Sequence, residues 1–320
     1  MSTKIKLAYF GTPDFSADLL STILTKGTKI FEVILVVTQP DKPVGRKKQL
    51  TPSPVKTYAL SRNIPVFEAM NEELISHLST CDIALVFAYG EMINAGLLRA
   101  PRYGVWNIHP SALPKYRGAS PVAFPLILGD KATSVSLIQM DEKMDHGPIL
   151  SQEEIAIEPQ VLNAELLSKL AQMSYYMLEN CVKNISTISS IWTVQDDSIA
   201  TFTQLLSRQS GYIPLPSLLK MNADDILESE ELPDVIKTFL QKNPTYQFSI
   251  PSGQQLLWNL YRGLSPWPGL WTEIVLSGMP KRLKIAGMTY NEGSPRISQV
   301  QLEGKTPVSI EIFNQTYRIF

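Results

Sequence analysis

The stretch KIKLAYFGTPDFSADLLSTILTKGTKIFEVILVVTQ, residues 4–39, contains an apolar run, a polar turn, an amphipathic segment and a second apolar run. Short apolar runs rich in β-branched residues on either side of a segment with helical periodicity predict a βαβ unit. We expect its helix to run from Asp14, as an N-cap, to about Lys26. Because the two strands of such a unit lie parallel, this stretch predicts an α/β fold.

The same alternation continues through the first half of the chain. Three more strands are predicted over residues 82–89, 104–109 and 133–140. Further helices are expected over residues 53–62, with Ser53 as N-cap, and over 72–78 and 121–128. An amphipathic helix over 163–187 would close the domain. We therefore predict a Rossmann-like, doubly wound parallel sheet.

The pattern changes after about residue 188. Residues 213–254 are rich in proline, serine and acidic residues, which indicates a solvated linker or insertion. Beyond them, short alternating segments separated by turn residues predict a small antiparallel β-barrel of the OB type. The expected organisation is a first domain at 1–189, a linker or insertion at 190–254 and a barrel at 255–320.

Composition limits the class of protein. The chain has 320 residues, of which 44% are hydrophobic and 18% charged, enough for two ordinary cores. Cys81 and Cys181 belong to no CxxC or Cys/His grouping, so neither a disulfide framework nor a metal site is expected. The N-terminal apolar run is too short for a signal peptide, and no stretch has membrane-spanning length. We expect a cytoplasmic protein with no membrane partner.

Five polar turns follow predicted strands: GTPDF at 11–15, TQPDKP at 38–43, AYGEM at 88–92, NIHPS at 107–111 and QMDEKMDHG at 139–147. Since ligands of open α/β sheets bind beyond the carboxyl ends of the strands, we expect these turns to converge on one crevice. The first turn lacks GxGxxG, and the chain has no GxxxxGK[ST]. Neither a dinucleotide nor a nucleoside triphosphate site is therefore indicated.

The groups available for chemistry in this crevice are Asn107, His109, Ser111 and the carboxylates Asp141 and Asp145. Asn107 and His109 are two apart at a strand end, so their side chains point to the same side. An amide donor, an imidazole and a carboxylate suit acyl transfer to an amine, which needs oxyanion donors and a proton acceptor. Ser111 is not expected to act as a nucleophile, because it lacks the GxSxG elbow that exposes such a serine. His146 is next to Asp145, but Asp-His-Gly-Pro at 145–148 is also typical of a plain turn. From these residues alone, a structural role for His109 is favoured, because a lone histidine at a strand end is most often a structural residue.

Longer motifs resemble a known family. The runs NIHPSALPKYRGASPV at 107–122 and QMDEKMDHGPIL at 139–150 resemble the signature of the folate-dependent formyltransferases. TQPDKPVGRKKQLTPSPVK at 38–56 and LSPWPGLWT at 264–272 are similar to the members that formylate methionyl-tRNA, and the similarity extends through essentially the whole chain. The resemblance implies transfer of a formyl group from 10-formyltetrahydrofolate to the α-amino group of methionine on initiator tRNA.

The resemblance also implies site residues. Asn107, His109 and Asp145 match the family's catalytic trio. The expected folate contacts are Ser111, Ala112, Leu113 and Pro114, with Phe87, Ala88 and Tyr89. The expected tRNA contacts are the basic residues Lys42, Arg46, Lys47 and Lys48 of one loop, and Lys281, Arg282 and Lys284 of the barrel. Clusters of this kind are also typical of solvated loops. We expect a monomer that uses the folate co-substrate and needs no metal.

One departure and several alternatives stay open. Where relatives commonly have MDTGD, this chain has MDHGP at 144–148, which alters the loop that carries Asp145. A glycinamide ribonucleotide formyltransferase would have a glycine-rich phosphate turn in place of GTPDF. A sugar-amine formyltransferase or a formyltetrahydrofolate hydrolase would not need the basic loop. A non-catalytic RNA-binding module is the alternative from another class.

Overall fold

The computed structural model describes residues 4–45, 47–185, 192–291 and 293–320. The chain divides into two compact units. The first comprises Met1–Pro114, Ser134–Ile155 and Leu167–Ser198. The second comprises Lys115–Thr133, Ala156–Leu166 and Ile199–Phe320. Each unit therefore combines segments that lie far apart along the sequence.

The first unit is built on a seven-stranded sheet and a short hairpin. The strands are β1 (Ile5–Gly11), β2 (Phe31–Val37), β3 (Lys42–Val44), β4 (Gln49–Thr51), β5 (Val66–Phe67), β6 (Ile83–Phe87), β7 (Val105–His109), and, after β8 (Arg117–Gly118) of the second unit, β9 (Ala132–Gln139) and β10 (Ile149–Ala156). The order across the sheet is β10-β9-β7-β6-β1-β2-β5, while β3 and β4 form the hairpin. Four neighbouring pairs from β5 to β7 are parallel, which confirms the Rossmann-like α/β class.

Of the six helices that the structure describes before residue 184, five follow the predicted segments closely, whereas the one over residues 95–99 is not predicted from the sequence. They are α1 (Asp14–Lys26), α2 (Pro54–Ser61), α3 (Glu72–Leu78), α4 (Ala95–Arg99), α5 (Ala123–Leu128) and α6 (Asn163–Lys183). Ser53 caps α2 as predicted, since its Oγ accepts the Lys56 N–H at 3.0 Å, whereas α1 has Pro13 at the N-cap rather than Asp14. Residues 186–187 of the predicted long helix lie outside the described residues. Within the described ranges, no helix is long and apolar enough to cross a membrane.

Strand β9 departs from the predicted parallel arrangement. It pairs antiparallel with β7, with Gln139 opposite Trp106 and Ser136 opposite His109. The chain that follows β9 therefore leaves the sheet where β7 begins, not where β7 finishes at His109. Apolar periodicity identifies a strand but carries no information about its direction, which is why the sequence did not reveal this reversal.

The turn after β1 is tightly packed. A Cβ on Gly11 would lie 2.0 Å from Ser16 Oγ, so only glycine fits without rearrangement. Ser16 Oγ donates to the carbonyl oxygen of Phe87 at 2.8 Å, and the Ser16 carbonyl accepts the Tyr9 hydroxyl at 2.7 Å. These bonds fix the start of α1 against the end of β6, beside the strand that carries the candidate catalytic residues.

The apolar core of the second unit contains buried side chains from several helices and from its antiparallel sheet. α5 is joined there by α7 (Leu215–Asn222), α8 (Asp234–Lys242) and α9 (Gly253–Leu264). α5 and α9 approach closely, because a Cβ on Gly263 would lie 2.6 Å from Ile127 Cγ1 and 2.8 Å from the Ala123 carbonyl. A glycine at this crossing allows the two helix backbones to come together.

Residues 213–254, predicted as a solvated linker or insertion, contribute to this core. The buried members are Ile213, Leu218, Met221, Leu227, Leu232, Val235, Ile236 and Phe239. The acidic side chains that suggested solvation are exposed, as at Asp224, Glu228 and Asp234. α7 and α8 are thus amphipathic helices whose apolar faces pack inward. Composition revealed only their outer faces.

A four-stranded antiparallel sheet completes the second unit. Its strands are β12 (Leu270–Leu276), β13 (Met279–Asn291), β14 (Ser294–Leu302) and β15 (Val308–Ser309), and the helix α10 (Ile310–Tyr317) follows them. Before this sheet in the sequence, β11 (Phe202–Thr203) forms a separate short parallel pair with β8. The order of the four-stranded sheet is β12-β13-β14-β15. The register of β13 shifts between Ile285 and Met288, and irregularities of this kind bend a strand. The predicted C-terminal antiparallel domain is confirmed and is consistent with a small barrel, while the OB type stays a prediction.

Candidate active site

Strand β7 carries two polar side chains in a buried part of the sheet. Asn107 is 9% exposed and His109 is 4% exposed. Asn107 lies opposite Val86 of β6 and Ile138 of β9, so it is in the middle of the sheet. Because the two residues are two apart on one strand, their side chains share a side. Buried polar groups without a structural partner are rare, so the neighbours of these two side chains matter.

The Asp145 carboxylate lies next to both side chains. Its Oδ1 accepts from Asn107 Nδ2 at 3.4 Å and lies 3.6 Å from His109 Nδ1. The second distance is longer than a direct hydrogen bond, but catalytic contacts commonly tighten when substrate binds. The structure therefore brings the predicted trio together. An amide, an imidazole and a carboxylate at one point can supply oxyanion donors and a proton acceptor.

Asp145 reaches this point because the loop after β9 folds back over the sheet. β9 ends at Gln139, opposite Trp106, so loop 140–148 must return toward His109. Asp145 has a φ of +50°, a left-handed conformation that aspartate tolerates better than most residues. A Cβ on Gly147 would lie 1.7 Å from the Gln139 carbonyl oxygen, so glycine is required there. The strand-end argument does not explain the position of Asp145, whereas these two backbone features do.

Gln195 holds the same loop through its side-chain amide. It is buried, and its Nε2 donates to the carbonyl oxygens of Asp145 at 2.9 Å and Gly147 at 2.7 Å. Thr193 pairs with Ile149 through two backbone bonds of 2.8 and 3.0 Å. Residues 193–197, which we call the brace, thus lie along residues 145–149. Sequence reasoning missed Gln195 because it lies in an irregular segment where neither periodicity nor a motif marks it.

The predicted folate-contacting turn, residues 111–114, is fixed by two side chains. Ser136 Oγ donates to the Ser111 carbonyl at 2.7 Å and accepts the Leu113 N–H at 3.3 Å. Gln152 Nε2 donates to the Leu113 carbonyl at 3.0 Å and to Ser136 Oγ at 2.7 Å. Ser111 and Leu113 are buried. Two members of the turn stay partly accessible: Ala112 and Pro114.

The predicted pterin loop starts at the end of β6, next to β7. The side chains of Phe87 and Tyr89 are buried, and Phe87 packs edge-on against Phe15. Ala88 between them is exposed, with a φ of +54°. Burial raises the pKa of Tyr89 to about 12, so its hydroxyl stays protonated at neutral pH. The loop offers a ligand its backbone at Ala88 rather than two aromatic faces.

The predicted basic loop forms the β3–β4 hairpin. Its exposed cations are Lys42, Lys47 and Lys48, and in the described part of the chain no carboxylate forms an ion pair with them. Lys56 differs, because Asp41 and Glu68 bind its ammonium group at 2.7 and 2.8 Å. Arg46 lies outside the described residues. The hairpin thus presents a compact set of cations to solvent, and Lys56 does not belong to that set.

The second unit has a cleft of about 580 Å³ on its antiparallel sheet. Aromatic and basic side chains line it: Trp267, Trp271, Arg208, Arg282 and Lys284. Lys284 lies opposite Trp271 across β12 and β13, and Arg282, two residues earlier, shares that face. Lys281 lies opposite Ile274 and alternates to the other face. The structure therefore brings together two of the three predicted barrel cations.

Among the described residues, the two cysteines and the side chains of types that could hold a metal ion are further candidates for chemistry. Cys81 and Cys181 are free and buried, and burial raises the pKa of both thiols, which disfavours the nucleophilic thiolate. Within the described part of the chain, no group of three histidine, cysteine, aspartate or glutamate side chains could hold a metal ion.

Known proteins resemble the chain. Residues 3–182 match the formyl transferase family. The chain is 32% identical over 301 residues to the methionyl-tRNA formyltransferase of Deinococcus radiodurans, covering 92% of this chain and 80% of that protein. It is 37% identical over 215 residues to the methionyl-tRNA formyltransferase of Agathobacter rectalis, covering 65% and 68%. The solved N-formyltransferase of Helicobacter canadensis, in complex with folinic acid and dTDP-3-aminofucose, aligns with a TM-score of 0.55 at 16% identity over 95% and 98% of the two chains, a likeness of fold.

The matched range contains every member of the trio, since Asn107, His109 and Asp145 all lie between residues 3 and 182. Similarity to the Deinococcus radiodurans protein covers 92% of the chain, so it extends beyond the family match. The sheet, the buried trio and the sequence similarity agree with one another. The chain therefore belongs to the formyl transferase family of enzymes.

Proposed function

We propose that the protein transfers the formyl group of 10-formyltetrahydrofolate to the α-amino group of methionine esterified to initiator tRNA. The observation that carries the proposal is the meeting of Asn107, His109 and Asp145 at one buried point. Two relatives at 32% and 37% identity bear the name methionyl-tRNA formyltransferase, which supports this acceptor. The trio suits direct acyl transfer through a tetrahedral intermediate, with no covalent enzyme intermediate.

The three side chains have separate tasks in this mechanism. As the amine nitrogen attacks the formyl carbon, the Asn107 amide and the His109 ring stabilise the developing oxyanion by hydrogen bonds. Asp145 accepts the proton that the amine loses, and that proton passes to the folate nitrogen when its bond to the formyl carbon breaks. The same carboxylate, 3.6 Å from Nδ1, keeps the imidazole oriented. The formyl group thus moves from one nitrogen to another.

The folate donor is placed along the turn 111–114 and the exposed backbone at Ala88. Ser136 and Gln152 hold that turn in one conformation, so its accessible members, Ala112 and Pro114, present a fixed surface. Fixed backbone groups between apolar walls suit a planar pterin. The buried Phe87, Tyr89, Ser111 and Leu113 serve this site as its support. The folinic acid in the Helicobacter canadensis enzyme is in keeping with a folate donor.

The first tRNA contact is placed on the β3–β4 hairpin. Lys42, Lys47 and Lys48 are exposed, and no ion pair with a described carboxylate neutralises them. Adjacent unpaired cations are what phosphate recognition requires, because binding releases the counterions of the RNA. Arg46 is assigned here by its place in the sequence between Val44 and Lys47.

The second tRNA contact is placed in the cleft of the second unit. Among described residues, no carboxylate forms an ion pair with Arg208, Arg282 or Lys284, although Glu303 also lines the cleft. Trp267 is 55% exposed, an unusual state for so large an apolar ring. An exposed indole beside cations can stack an unpaired base while the cations contact phosphate. The cleft therefore favours RNA over a flat protein partner.

The predicted organisation remains part of the proposal. Catalysis is assigned to residues 1–189 and additional RNA binding to residues 255–320, while Arg208 of the segment 190–254 lines the same cleft. The enzyme is proposed to act as a cytoplasmic monomer. Sedimentation equilibrium should return the mass of one chain, and a mass of two chains would exclude the monomer.

A panel of amine acceptors tests the function. The purified protein is given 10-formyltetrahydrofolate with methionyl-initiator tRNA, glycinamide ribonucleotide, a nucleotide-linked amino sugar or no acceptor. We expect consumption of the donor only with methionyl-tRNA, and formylmethionyl-tRNA as the product. Transfer to either small amine, or hydrolysis of the donor without an acceptor, would identify a different formyltransferase or a hydrolase. Retention of tRNA without consumption of the donor would identify an RNA-binding module.

A further inference from the structure

His146 lies between two carboxylates. Its Nδ1 is 2.6 Å from Asp141 Oδ2, and its Nε2 is 3.3 Å from Asp197 Oδ2. Asp141 is at the start of the loop that carries Asp145, and Asp197 begins a 3₁₀ turn at the end of the brace. The imidazole therefore links the two ends of this region. His146 has no task in the transfer mechanism.

Both contacts are hydrogen bonds only when both ring nitrogens carry a hydrogen. A carboxylate oxygen accepts, so each of Asp141 and Asp197 requires an N–H, and a neutral imidazole has only one. The ring has one nitrogen within hydrogen-bond distance of Asp141 at 2.6 Å and the other at an ion-pair distance of 3.3 Å from Asp197. With both nitrogens facing these carboxylates, the ring is not arranged to exchange a proton at the reacting centre.

The contacts of the brace fall on three consecutive residues of the loop. Gln195 binds the carbonyl oxygens of Asp145 and Gly147, and Asp197 binds the side chain of His146. The residue whose carboxylate contacts Asn107 and His109 is thus held through its own carbonyl oxygen and through the two residues that follow it. Asp145 has a φ of +50°, so a small change at its neighbours would redirect its side chain.

The geometry points to His146 as a positioning residue: by bridging Asp141 and Asp197, it holds the Asp145 carboxylate at Asn107 and His109. This inference rests on the proposed function for its effect on rate, because it assigns Asp145 the proton of the attacking amine. Its structural part does not depend on the identity of the acceptor. A change at His146 acts on catalysis only through the position of Asp145.

Six proteins test the inference: wild type, His146→Ala, His146→Arg, Asp197→Asn, Asp196→Asn and the double variant of His146→Ala with Asp197→Asn. Arginine carries donors for two carboxylates, so His146→Arg is the rescue variant. Asp196 is the matched control, because its carboxylate binds Ser198 and it precedes Asp197 directly. For each protein, formyl transfer to methionyl-tRNA gives kcat and both KM values. Amide hydrogen exchange of residues 141–148 gives a second readout that needs no substrate.

We expect His146→Ala and Asp197→Asn to lower kcat by ~10- to 100-fold, with both KM values nearly unchanged, because the position of a reacting group is lost. Exchange of 141–148 should accelerate in the same two variants. His146→Arg should restore most of kcat and the protection, and Asp196→Asn should match wild type. The double variant of His146→Ala with Asp197→Asn should be no slower than either single one.

Unchanged amide hydrogen exchange of residues 141–148 in His146→Ala would overturn the inference whatever the activity. This readout needs no substrate, so it also decides the case in which wild type fails to formylate methionyl-tRNA. Active wild type with a normal kcat in His146→Ala would also overturn it and leave the proposed function intact. Equal losses in kcat for His146→Arg and His146→Ala, with normal protection in the former, would exclude the bridge as the cause. Inactive wild type with accelerated exchange in His146→Ala would support the bridge and refute the function alone.

Discussion

Substituting Gly147 by alanine should damage catalysis far more than stability. The added Cβ would lie 1.7 Å from the Gln139 carbonyl oxygen, whereas real Cβ contacts essentially never fall under 3.0 Å. The loop must therefore move by roughly 1 Å at a position two residues from Asp145. Asp145 is already 3.6 Å from His109 Nδ1, so a displacement of this size removes their interaction. A misplacement of ~1 Å costs about 100-fold in rate.

Steady-state formyl transfer measures this effect, with thermal unfolding recorded in parallel. Gly278→Ala is the matched control, because Gly278 has a φ of +77° and its Cβ would meet nothing within 4 Å. The control should lose about 1–2 kcal/mol of stability from backbone strain and keep its kcat. Gly147→Ala should lose a similar amount of stability from overpacking, about 1–3 kcal/mol, and most of its kcat. A Gly147→Ala protein with kcat within ~3-fold of wild type would refute the positioning of Asp145 by this loop.

Three further outcomes are expected. Lys47→Glu with Lys48→Glu should raise the KM for tRNA but not for folate. Removal of each cation that binds a phosphate should also reduce the magnitude of the slope of log binding constant against log salt concentration by ~0.7–0.9, which binding at two or more salt concentrations measures. Arg282→Glu with Lys284→Glu should raise the KM for tRNA and leave kcat at saturating tRNA unchanged; a fall in kcat alone would show that the cleft positions the acceptor end. Burial raises the pKa of Asp130 above 3.8, so its contribution to stability is complete below about pH 4 and is lost as the pH rises through the folded-state pKa. Asp130→Asn should therefore lose less stability than wild type between pH 4 and pH 8, as measured by urea unfolding at each pH.

Much of the first unit follows from the sequence, because strand and helix periodicities are local. The strand that holds Asn107 and His109, and the helix that Ser53 caps, lie where the apolar pattern places them. Direction and packing are not local properties. β9 runs antiparallel to β7, and the apolar faces of α7 and α8 are buried despite the acidic residues around them.

The site shows the same limit. The spacing of Asn107 and His109 indicates a shared side of a strand, and the resemblance adds Asp145. Gln195, some fifty residues after Asp145, has no pattern that links it to the loop it binds, because hydrogen bonds between irregular segments leave no periodic trace. The sequence around His146 indicates a turn, and only the positions of Asp141 and Asp197 show what its ring contacts.

The central claim is that Asn107, His109 and Asp145 carry out formyl transfer to methionyl-tRNA. Single-turnover transfer with enzyme in excess measures the chemical step directly, in wild type and in Asn107→Ala, His109→Ala and Asp145→Asn. Each variant should slow this step by roughly two orders of magnitude or more while it remains folded and binds both substrates. A folded His109→Ala protein that transfers the formyl group at a near-normal rate would contradict the claim.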